Sequence, residues 1–429
     1  MTPQTKPSSL VALRYSNYRL LWFGQLVSFS GSMMQNAAIL WHVSLLVPDN
    51  QKGIALGLVG LVRVLPIIIF SLVGGVVADA VDRVRLLLIT QITMTLSAAV
   101  LAYITFRGLS VVWPLYALTA VSAAAGSFDN PARNSLIPNL VPREHLANAI
   151  SLNTIMFQLA SVAGPALGGI LIGTVSVGWV YAYNAVSFLA VIGALLLMHN
   201  VPRNAAGARG ATKPVISLAA MRDGLRFVFS APLIRSTMLL DFFANFFASA
   251  IALLPIFAQD ILKVGAQGYG WLFAAPSVGA LIASIAMVPA TDRVERRGTV
   301  LLWAVGVFGV STVVFGLSRN FFLTLFCLAA FGASDMVSTV YRNIIRQLAT
   351  PDELRGRMTG VNMIFFMGGP QLGELEAGVL ADLTTAPFSV ITGGVGALIA
   401  TLYVARTTPQ LRDYRRDDEL MAAQPAAAD

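Results

Sequence analysis

The chain has 429 residues, of which 56% are apolar and 12% are charged, and its mean hydropathy is +0.72. Soluble domains contain roughly 25% charged residues, so the composition excludes a soluble enzyme, and it excludes a disordered protein because disordered chains are poor in apolar residues. The formal net charge of +8 leaves nucleic-acid binding to be decided by where the basic residues lie.

Twelve apolar runs follow one another along the chain, each long enough to cross a bilayer as a helix. They fall near 20–47, 54–78, 86–106, 112–131, 147–173, 178–198, 236–262, 269–290, 299–317, 321–341, 358–382 and 388–405. The sequence therefore predicts an all-α polytopic membrane protein with twelve transmembrane helices. The first run is long and has no small-residue cleavage site, so we expect no cleavable signal peptide.

The longest polar connection separates the first six runs from the last six. Within it, apolar residues at a spacing of three or four predict an amphipathic helix over Ser217–Ser230, which we expect to lie along the cytoplasmic membrane surface. The predicted division is a cytoplasmic N-terminus at 1–19, a six-helix bundle at 20–198, a cytoplasmic linker at 199–235, a second six-helix bundle at 236–405 and a mobile cytoplasmic tail at 406–429.

The basic residues fall almost entirely on one predicted side of the membrane. With the N-terminus inside, 24 of the 29 lie in cytoplasmic segments and four on the opposite side. This asymmetry indicates cytoplasmic N- and C-termini and explains the positive charge without nucleic acid. It places Arg133, Arg342 and Arg346 in cytoplasmic segments after the fourth and tenth helices and leaves Arg63 as the only basic residue inside the bilayer.

Three motifs recur in the same order in the second half, at offsets of 213, 209 and 205 residues. They are Asp79–Arg83 with Asp292–Arg296, Arg133-Asn134 with Arg342-Asn343, and Gly164-Pro165 with Gly369-Pro370. The recurrence indicates two parallel six-helix repeats, an architecture typical of alternating-access secondary transporters.

The sequence lacks the motifs of metal sites, hydrolytic enzymes and ATP-binding proteins. Cys327 is the only cysteine, and the three histidines are widely separated. The sequence has no Ser/His/Asp arrangement and no phosphate-binding loop. We therefore expect neither a metal nor an organic cofactor, no enzymatic activity and no ATP-driven transport.

The end of the second predicted helix and the loop after it carry Gly75, Asp79, Asp82 and Arg83. This segment resembles the signature of the major facilitator superfamily between helices 2 and 3, although Ala80 stands where that family usually has arginine. The Asp82-Arg83 form, together with segments at 18–25, 130–144 and 370–378, resembles the branch of drug, macrolide and siderophore exporters. The resemblance implies a major facilitator fold in the bacterial inner membrane and proton-coupled efflux of small amphipathic organic compounds.

Two further motifs have both a functional and a structural interpretation. Asp79 and Arg83, repeated as Asp292 and Arg296, form either a conformational latch at the cytoplasmic face or a topology determinant with a helix cap. Residues 163–169 resemble the family's exporter-associated segment. They indicate either that the protein exports its substrate or only that another helix packs closely against this segment. The small and proline residues of this segment and its repeat are Gly164, Pro165, Gly168, Gly169, Gly369, Pro370 and Gly373.

Charges inside the bilayer are costly and are functional candidates by default. The candidates are Arg63, Asp241, Asp335, Glu374 and Glu376. Asp335 and Glu374 are the predicted proton-coupling or substrate-binding groups; the alternative is a structural carboxylate held by a basic neighbour such as Arg63. Asp241 lies so near the start of its helix that it is either a cavity residue or merely interfacial.

Polar amides complete the candidate cavity. Gln35, Asn36 and Asn245 either donate hydrogen bonds to a substrate or bond across helices. Phenylalanines in the seventh and eleventh helices either line the cavity or pack in the core.

The leading hypothesis is a proton-coupled exporter that acts as a monomer with a small-molecule substrate, protons and the lipid bilayer as partners. The alternatives are an importer or facilitator of a small metabolite with the same fold, and a membrane enzyme or scaffold.

Overall fold

The computed structural model describes residues 10–199, 225–291, 293–351 and 354–416, without the side chains of 71–80, 356, 357, 360, 364 and 367. The described residues form helices and turns, and no strand occurs among them. The main helices are α1 (Ser16–Leu46), α2 (Lys52–Ala80), α3 (Arg83–Phe106), α4 (Trp113–Leu136), α5 (Leu146–Thr174), α6 (Val177–Leu197), α7 (Pro232–Phe247), α8 (Gly265–Ala290), α9 (Arg297–Leu317), α10 (Phe321–Leu348), α11 (Arg355–Leu383), α12 (Ala386–Thr407) and the short α13 (Pro409–Arg412).

The apolar runs predicted from the sequence coincide with α1–α12 to within a few residues at most helix ends. Within the described part of the chain, nine helical segments are long and apolar enough to cross a membrane by length and composition. The two largest differences are at α7, which ends at Phe247, fifteen residues before the predicted end at 262, and at α10, which continues to Leu348, seven residues beyond the predicted end at 341. Polar side chains at this end are bonded within the protein, as described below, so the helix does not stop where its apolar run stops.

The chain divides into two compact units, one of Met1–His42 and Leu65–Pro214 and one of Val43–Val64 and Val215–Asp429. In the first unit α3 packs against both α4 and α6. In the second unit α9 packs in the same way against α10 and α12, while α11 packs against α7. The same neighbours in chain order therefore recur in the two units.

The C-terminal segment after α12 is docked, which differs from the mobile tail expected after residue 406. Leu411 is fully buried and Tyr414 is almost fully buried. The Gly298 amide at the start of α9 donates a hydrogen bond to the Tyr414 carbonyl oxygen at 3.2 Å. These two apolar side chains anchor the described part of the segment, whereas 417–429 lies outside the described residues.

We expect Leu411→Ala to lower the thermal unfolding temperature of the detergent-solubilised protein, because truncating a buried leucine costs about 2–5 kcal/mol. Gln410→Ala is the matched control, since Gln410 is exposed on the same short helix. Equal melting temperatures for the two variants would show that the C-terminal segment does not contribute to stability.

The described end of the linker also packs on protein. Residues 225–230 are helical, and Val228 is buried against Ile234 and Met238 of α7 and against Met358 of α11. The predicted amphipathic helix over 217–230 otherwise lies outside the described residues. At its described end, the apolar face covers other helices instead of lying along a membrane surface.

Candidate functional site

Four charged side chains of α7 and α10 meet in the second unit and are called here the charge cluster: Asp241, Asp335, Arg342 and Arg346. Arg342 Nη1 lies 2.6 Å from Asp241 Oδ1, and Arg342 Nη2 lies 3.4 Å from Asp335 Oδ1. The side chains of Asp241 and Arg342 are each 2% exposed, whereas that of Asp335 is 40% exposed. Arg342 is thus shared between one inaccessible carboxylate and one accessible carboxylate.

The second arginine of the cluster is held by amides. Arg346 Nη1 lies 3.8 Å from Asp241 Oδ2 and donates a hydrogen bond to Asn362 of α11, while Arg346 Nη2 donates to Asn343 at 3.0 Å. Arg342 also donates to the Thr339 hydroxyl at 2.8 Å. Two arginines therefore face two aspartates, and the cluster is balanced in charge when both aspartates are ionised.

This arrangement differs from the sequence prediction in where α10 ends. That Arg63 is the only basic residue inside the bilayer stays a prediction. Arg342 and Arg346, which were predicted to follow the tenth helix, lie within α10 and are buried, at 1% and 3% exposure. Counting charges along the chain missed this because the compensating carboxylate, Asp241, is about 100 residues away in sequence.

Polar side chains continue along α7 from the charge cluster. Asn245 Nδ2 donates to Asp241 Oδ1 at 2.9 Å, and one turn later Ser249 Oγ donates to the Pro370 carbonyl oxygen of α11 at 3.0 Å. The residues lie four apart and so share one helix face. Asp241 is accordingly a buried residue of this face, and Asn245 is engaged with it.

Helix α7 is interrupted beside α11. It ends at Phe247, and the chain continues through a 3₁₀ turn at Ala250–Leu253 to a π-helical segment at Phe257–Ile261. Phe246 and Ser249 border Gly373 so closely that a Cβ at this glycine would overlap the Phe246 carbonyl oxygen. Interrupted helices of this kind occur at binding sites of secondary transporters.

Aromatic rings cover the same region. Phe242 stacks on Phe246 with ring centroids 5.7 Å apart and meets Phe365 of α11 edge to face at 5.9 Å. Phe243 stacks on Phe247 at 6.0 Å. The rings form a connected apolar surface next to the polar face of α7.

The other acidic candidate, Glu374, lies where α11 meets α2. Gly53, Gly57 and Gly60 of α2 pack against Glu374, Leu375 and Gly378 of α11, and we call this contact the α2–α11 seam. A Cβ on Gly57 would lie 2.8 Å from both the Glu374 carbonyl oxygen and the Leu375 Cα, and a Cβ on Gly60 would overlap Glu374 Oε2. The glycines thus allow the two backbones to approach each other directly.

Arg63 lies one turn beyond Gly60 on α2 and interacts electrostatically with Glu374 and with Tyr269 of α8. The structure therefore brings Arg63 together with Glu374, and pairs Asp335 with Arg342. Glu376 is half-buried on α11, about 200° around the helix from Glu374.

The N-terminal end of α2 is fastened by contacts that the sequence did not predict. Asp382 accepts hydrogen bonds from the Gly53 and Ile54 amides at 2.7 and 2.8 Å, in the manner of a helix cap supplied by another helix. Lys52 is buried and pairs with Asp49 at 2.8 Å and with Asp260 at 3.2 Å. Asp382 belongs to no motif that the sequence analysis recognised, and Lys52 was counted only as a basic residue of a loop.

The amides predicted in α1 belong to the first unit. Gln35 is buried and its Oε1 accepts a hydrogen bond from Asn184 Nδ2 of α6 at 2.8 Å. Asn36 is half-buried on the same helix. Gln35 is thus bonded across helices, the alternative recognised in the sequence.

The predicted latch lies partly outside the described residues. Gly75 and Asp79 lie in the stretch of α2 whose side chains the structure does not describe, and Asp292 lies outside the described residues. Asp82 caps α3 by accepting from the Val84 amide at 2.9 Å and the Arg85 amide at 3.2 Å.

The two latch arginines differ in their surroundings. Arg83 donates to the Ser135 carbonyl oxygen at the end of α4, at 2.8 Å, within the first unit. Arg296 is the exposed residue that precedes α9. The Arg83 contact joins the loop to a neighbouring helix end.

The first unit contains a counterpart of the charge cluster. Arg133 of α4 forms an ion pair with Asp129, lies 4.6 Å above the Phe29 ring of α1, and is buried. Asp129 also accepts hydrogen bonds from Thr90 at 2.9 Å and Gln91 at 2.8 Å. Arg133 and Arg342, which occupy repeated sequence positions, are both buried, but the first is neutralised from its own helix and the second from α7.

The glycine segments lie at close helix contacts. A Cβ on Gly164 would lie 2.7 Å from the Ser30 carbonyl oxygen of α1, and a Cβ on Gly168 would lie 3.3 Å from the Met34 Cα. In the second unit, a Cβ on Gly369 would lie 3.3 Å from the Phe242 ring of α7. The remaining residues of these segments, Pro165, Gly169 and Pro370, lie within α5 and α11.

The charge cluster places an accessible carboxylate, Asp335, next to a buried ion pair. An accessible carboxylate beside an arginine that has a second anionic partner can take up a proton while that arginine keeps one counter-charge. Neighbouring aromatic rings supply apolar contact area for an amphipathic ligand.

The chain is similar to known membrane transport proteins. A family model described as transmembrane secretion effector matches residues 7–425. The chain is 28% identical over 345 residues to the enterobactin exporter EntS of Escherichia coli O1:K1, covering 80% of this chain and 81% of that protein. It is also 28% identical over 411 residues to the multidrug efflux pump Tap of Mycolicibacterium fortuitum, covering 92% and 96%.

Solved structures share the fold. A bacterial homologue of the human lysosomal transporter Spinster superposes with a TM-score of 0.72 at 15% identity, covering 95% of this chain and 99% of that chain. A bacterial homologue of the iron transporter ferroportin gives 0.67 at 16% identity, covering 91% and 98%.

Proposed function

The chain belongs to the transmembrane secretion effector family of the major facilitator superfamily, and on this premise we propose that it exports small amphipathic organic compounds by proton-coupled alternating access. The resemblance found in the sequence is thus confirmed for the family, and the protein is a multi-pass membrane transporter, not an enzyme. Relatives that export enterobactin or several drugs support the substrate class.

We further propose that α1–α12 all span the bacterial inner membrane as two parallel six-helix repeats, with both termini cytoplasmic and the monomer as functional unit. The one-sided distribution of basic residues supports this orientation. The recurrence of helix neighbours in the two units supports the repeats.

The observation that carries the proposed coupling is the sharing of Arg342 between Asp241 and Asp335. When Asp335 is ionised, the two arginines of the cluster face two carboxylates. When Asp335 takes up a proton, the cluster carries one excess positive charge, and Arg342 retains the buried Asp241 as its nearest counter-charge. Asp335 is therefore a carboxylate that exchanges protons while the buried part of the cluster keeps its structure.

Glu374 is the second proposed coupling group, with Arg63 as its counter-charge. The aromatic surface of α7 and the amides Gln35, Asn36 and Asn245 are proposed as residues that line the cavity, and Glu376 as a further polar residue of its wall.

The loop residues Asp79 and Arg83, with Asp292 and Arg296, are proposed as conformational latches. The glycine segments of α5 and α11 are proposed as packing surfaces of the moving helices.

In proteoliposomes, an imposed proton gradient is expected to drive concentrative transport of ethidium or enterobactin by the wild-type protein. Asp335→Asn and Glu374→Gln are expected to abolish this concentrative transport while retaining exchange without a gradient, because the proton site is lost and the path remains. Asp413→Asn is the matched control, since that carboxylate is exposed. Full gradient-driven flux in both test variants would refute the assignment.

The direction of transport is tested in cells. We expect overproducing cells to accumulate less ethidium and to resist a panel of antibiotics and siderophores. Greater accumulation than in cells lacking the protein would instead favour an importer or facilitator.

A further inference from the structure

We infer that Gln371 positions the proton of Glu374: the protonated carboxyl group donates to Gln371 Oε1, and the ionised carboxylate pairs with Arg63. The inference rests on the proposed proton coupling and goes beyond it, because it assigns one partner to each protonation state.

The two side chains converge on a single point of the α2–α11 seam. Gln371 and Glu374 are three residues apart and lie on the same face of α11. A Cβ on Gly60 would lie 3.2 Å from Gln371 Oε1 and would overlap Glu374 Oε2. Both oxygens therefore border the space that the glycine leaves empty.

Both oxygens are acceptors without a donor. Gln371 Oε1 and Glu374 Oε2 are buried, and neither has a hydrogen-bond partner among the described residues. A buried acceptor without a donor is costly, by about 1–3 kcal/mol. Two acceptors bond to each other only when one carries a proton, and of this pair only the carboxyl group takes one up. Protonation of Glu374 thus satisfies both atoms at once.

The ionised state has a different partner. Arg63 lies one turn along α2 from Gly60 and interacts electrostatically with Glu374. Tyr269 of α8 also interacts electrostatically with Arg63, and Glu376 lies on another face of α11. When the proton leaves, the carboxylate is attracted to Arg63, and Gln371 loses its donor.

The α2–α11 seam buries both oxygens away from bulk solvent. At Gly57 the backbones of α2 and α11 are so close that a Cβ would lie 2.8 Å from α11 atoms. Gly53 and Gly378 face each other in the same way, one turn nearer the N-terminal end of α2. A side-chain amide built into α11 therefore supplies the acceptor that solvent supplies elsewhere.

The test is the pH profile of gradient-driven ethidium transport. Gln371→Met keeps the length of the side chain and removes the acceptor, so the proton is bound about tenfold more weakly and the half-maximal pH falls by about one unit. Gln371→Glu places a second carboxyl group beside Glu374 and is expected to raise the half-maximal pH. The control Gln347→Met, at an exposed position of α10, is expected to leave the profile unchanged.

Infrared spectroscopy tests the hydrogen bond without transport. The C=O stretch of protonated Glu374, identified by its loss in Glu374→Gln, is expected to move to higher frequency in Gln371→Met as the hydrogen bond disappears. An unchanged band and pH profile would overturn the inference, and a higher half-maximal pH would overturn it in favour of the amide nitrogen donating to the ionised carboxylate. If Glu374→Gln keeps normal gradient-driven transport, the proposed coupling fails, while the infrared band still decides the role of Gln371.

Discussion

Asp241→Ala is expected to destabilise the purified transporter by about 3–5 kcal/mol, because it leaves a buried arginine without its closest counter-charge. Arg342 is 1% exposed and lies 2.6 Å from Asp241, whereas its contact with Asp335 is longer, at 3.4 Å. Asp335 therefore does not replace Asp241 as a partner. Thermal unfolding in detergent, followed by tryptophan fluorescence, measures the loss.

An exposed ion pair provides the control for this substitution. Arg412 donates two hydrogen bonds to Asp413 at 2.9 and 3.0 Å, and these bonds hold the pKa of the Asp413 carboxyl below its ordinary value. Both groups are solvated, so Asp413→Ala is expected to leave the melting temperature unchanged.

A double replacement separates charge from packing. Asp241→Leu with Arg342→Met removes both charges together and is expected to recover most of the stability lost in Asp241→Ala, since a buried ion pair is often replaceable by apolar side chains. The double variant is expected to lose gradient-driven transport, because Asp335 then has no arginine. A wild-type melting temperature for Asp241→Ala alone would contradict the importance of the pair.

The helices and the carboxylates of this protein were predictable, whereas their partners were not. An apolar run of about 20 residues is a local signal, and it located α1–α12, with the interruption after Phe247 in α7 as the largest error. Asp335 and Glu374 stood out because charges are rare in such runs. The partner of each is set by packing between distant segments, so the pairing of Arg342 with Asp241 carries no signal at either position.

Two features had signals that sequence reasoning left unused. Arg133 and Arg342 recur at the same place in the two halves, and a repeated arginine inside a helix end is as consistent with a buried ion pair as with a loop. Gly53, Gly57 and Gly60 follow the spacing of a small-residue helix contact, yet only the glycines of α5 and α11 were interpreted in this way. Asp382, by contrast, caps α2 from 328 residues away and had no local signal.

Gly57→Leu is expected to abolish gradient-driven transport, because the new side chain would separate α2 from α11 where Arg63 and Glu374 meet. A Cβ at this position already lies 2.8 Å from backbone atoms of α11, so a larger side chain forces the helices apart at a cost of about 1–3 kcal/mol. Ethidium transport in proteoliposomes measures the effect, and the melting temperature shows whether the fold survives.

The matched control is Gly193→Leu in α6, where nothing lies within 4 Å of an added Cβ. It places the same side chain on a helix without closing a contact, and it is expected to transport normally. If Gly57→Leu folds and transports as this control does, the α2–α11 seam is dispensable. If it folds and exchanges ethidium without a gradient but no longer responds to one, the close approach of α2 and α11 serves to hold Glu374 beside Arg63, and the glycines belong to the coupling machinery.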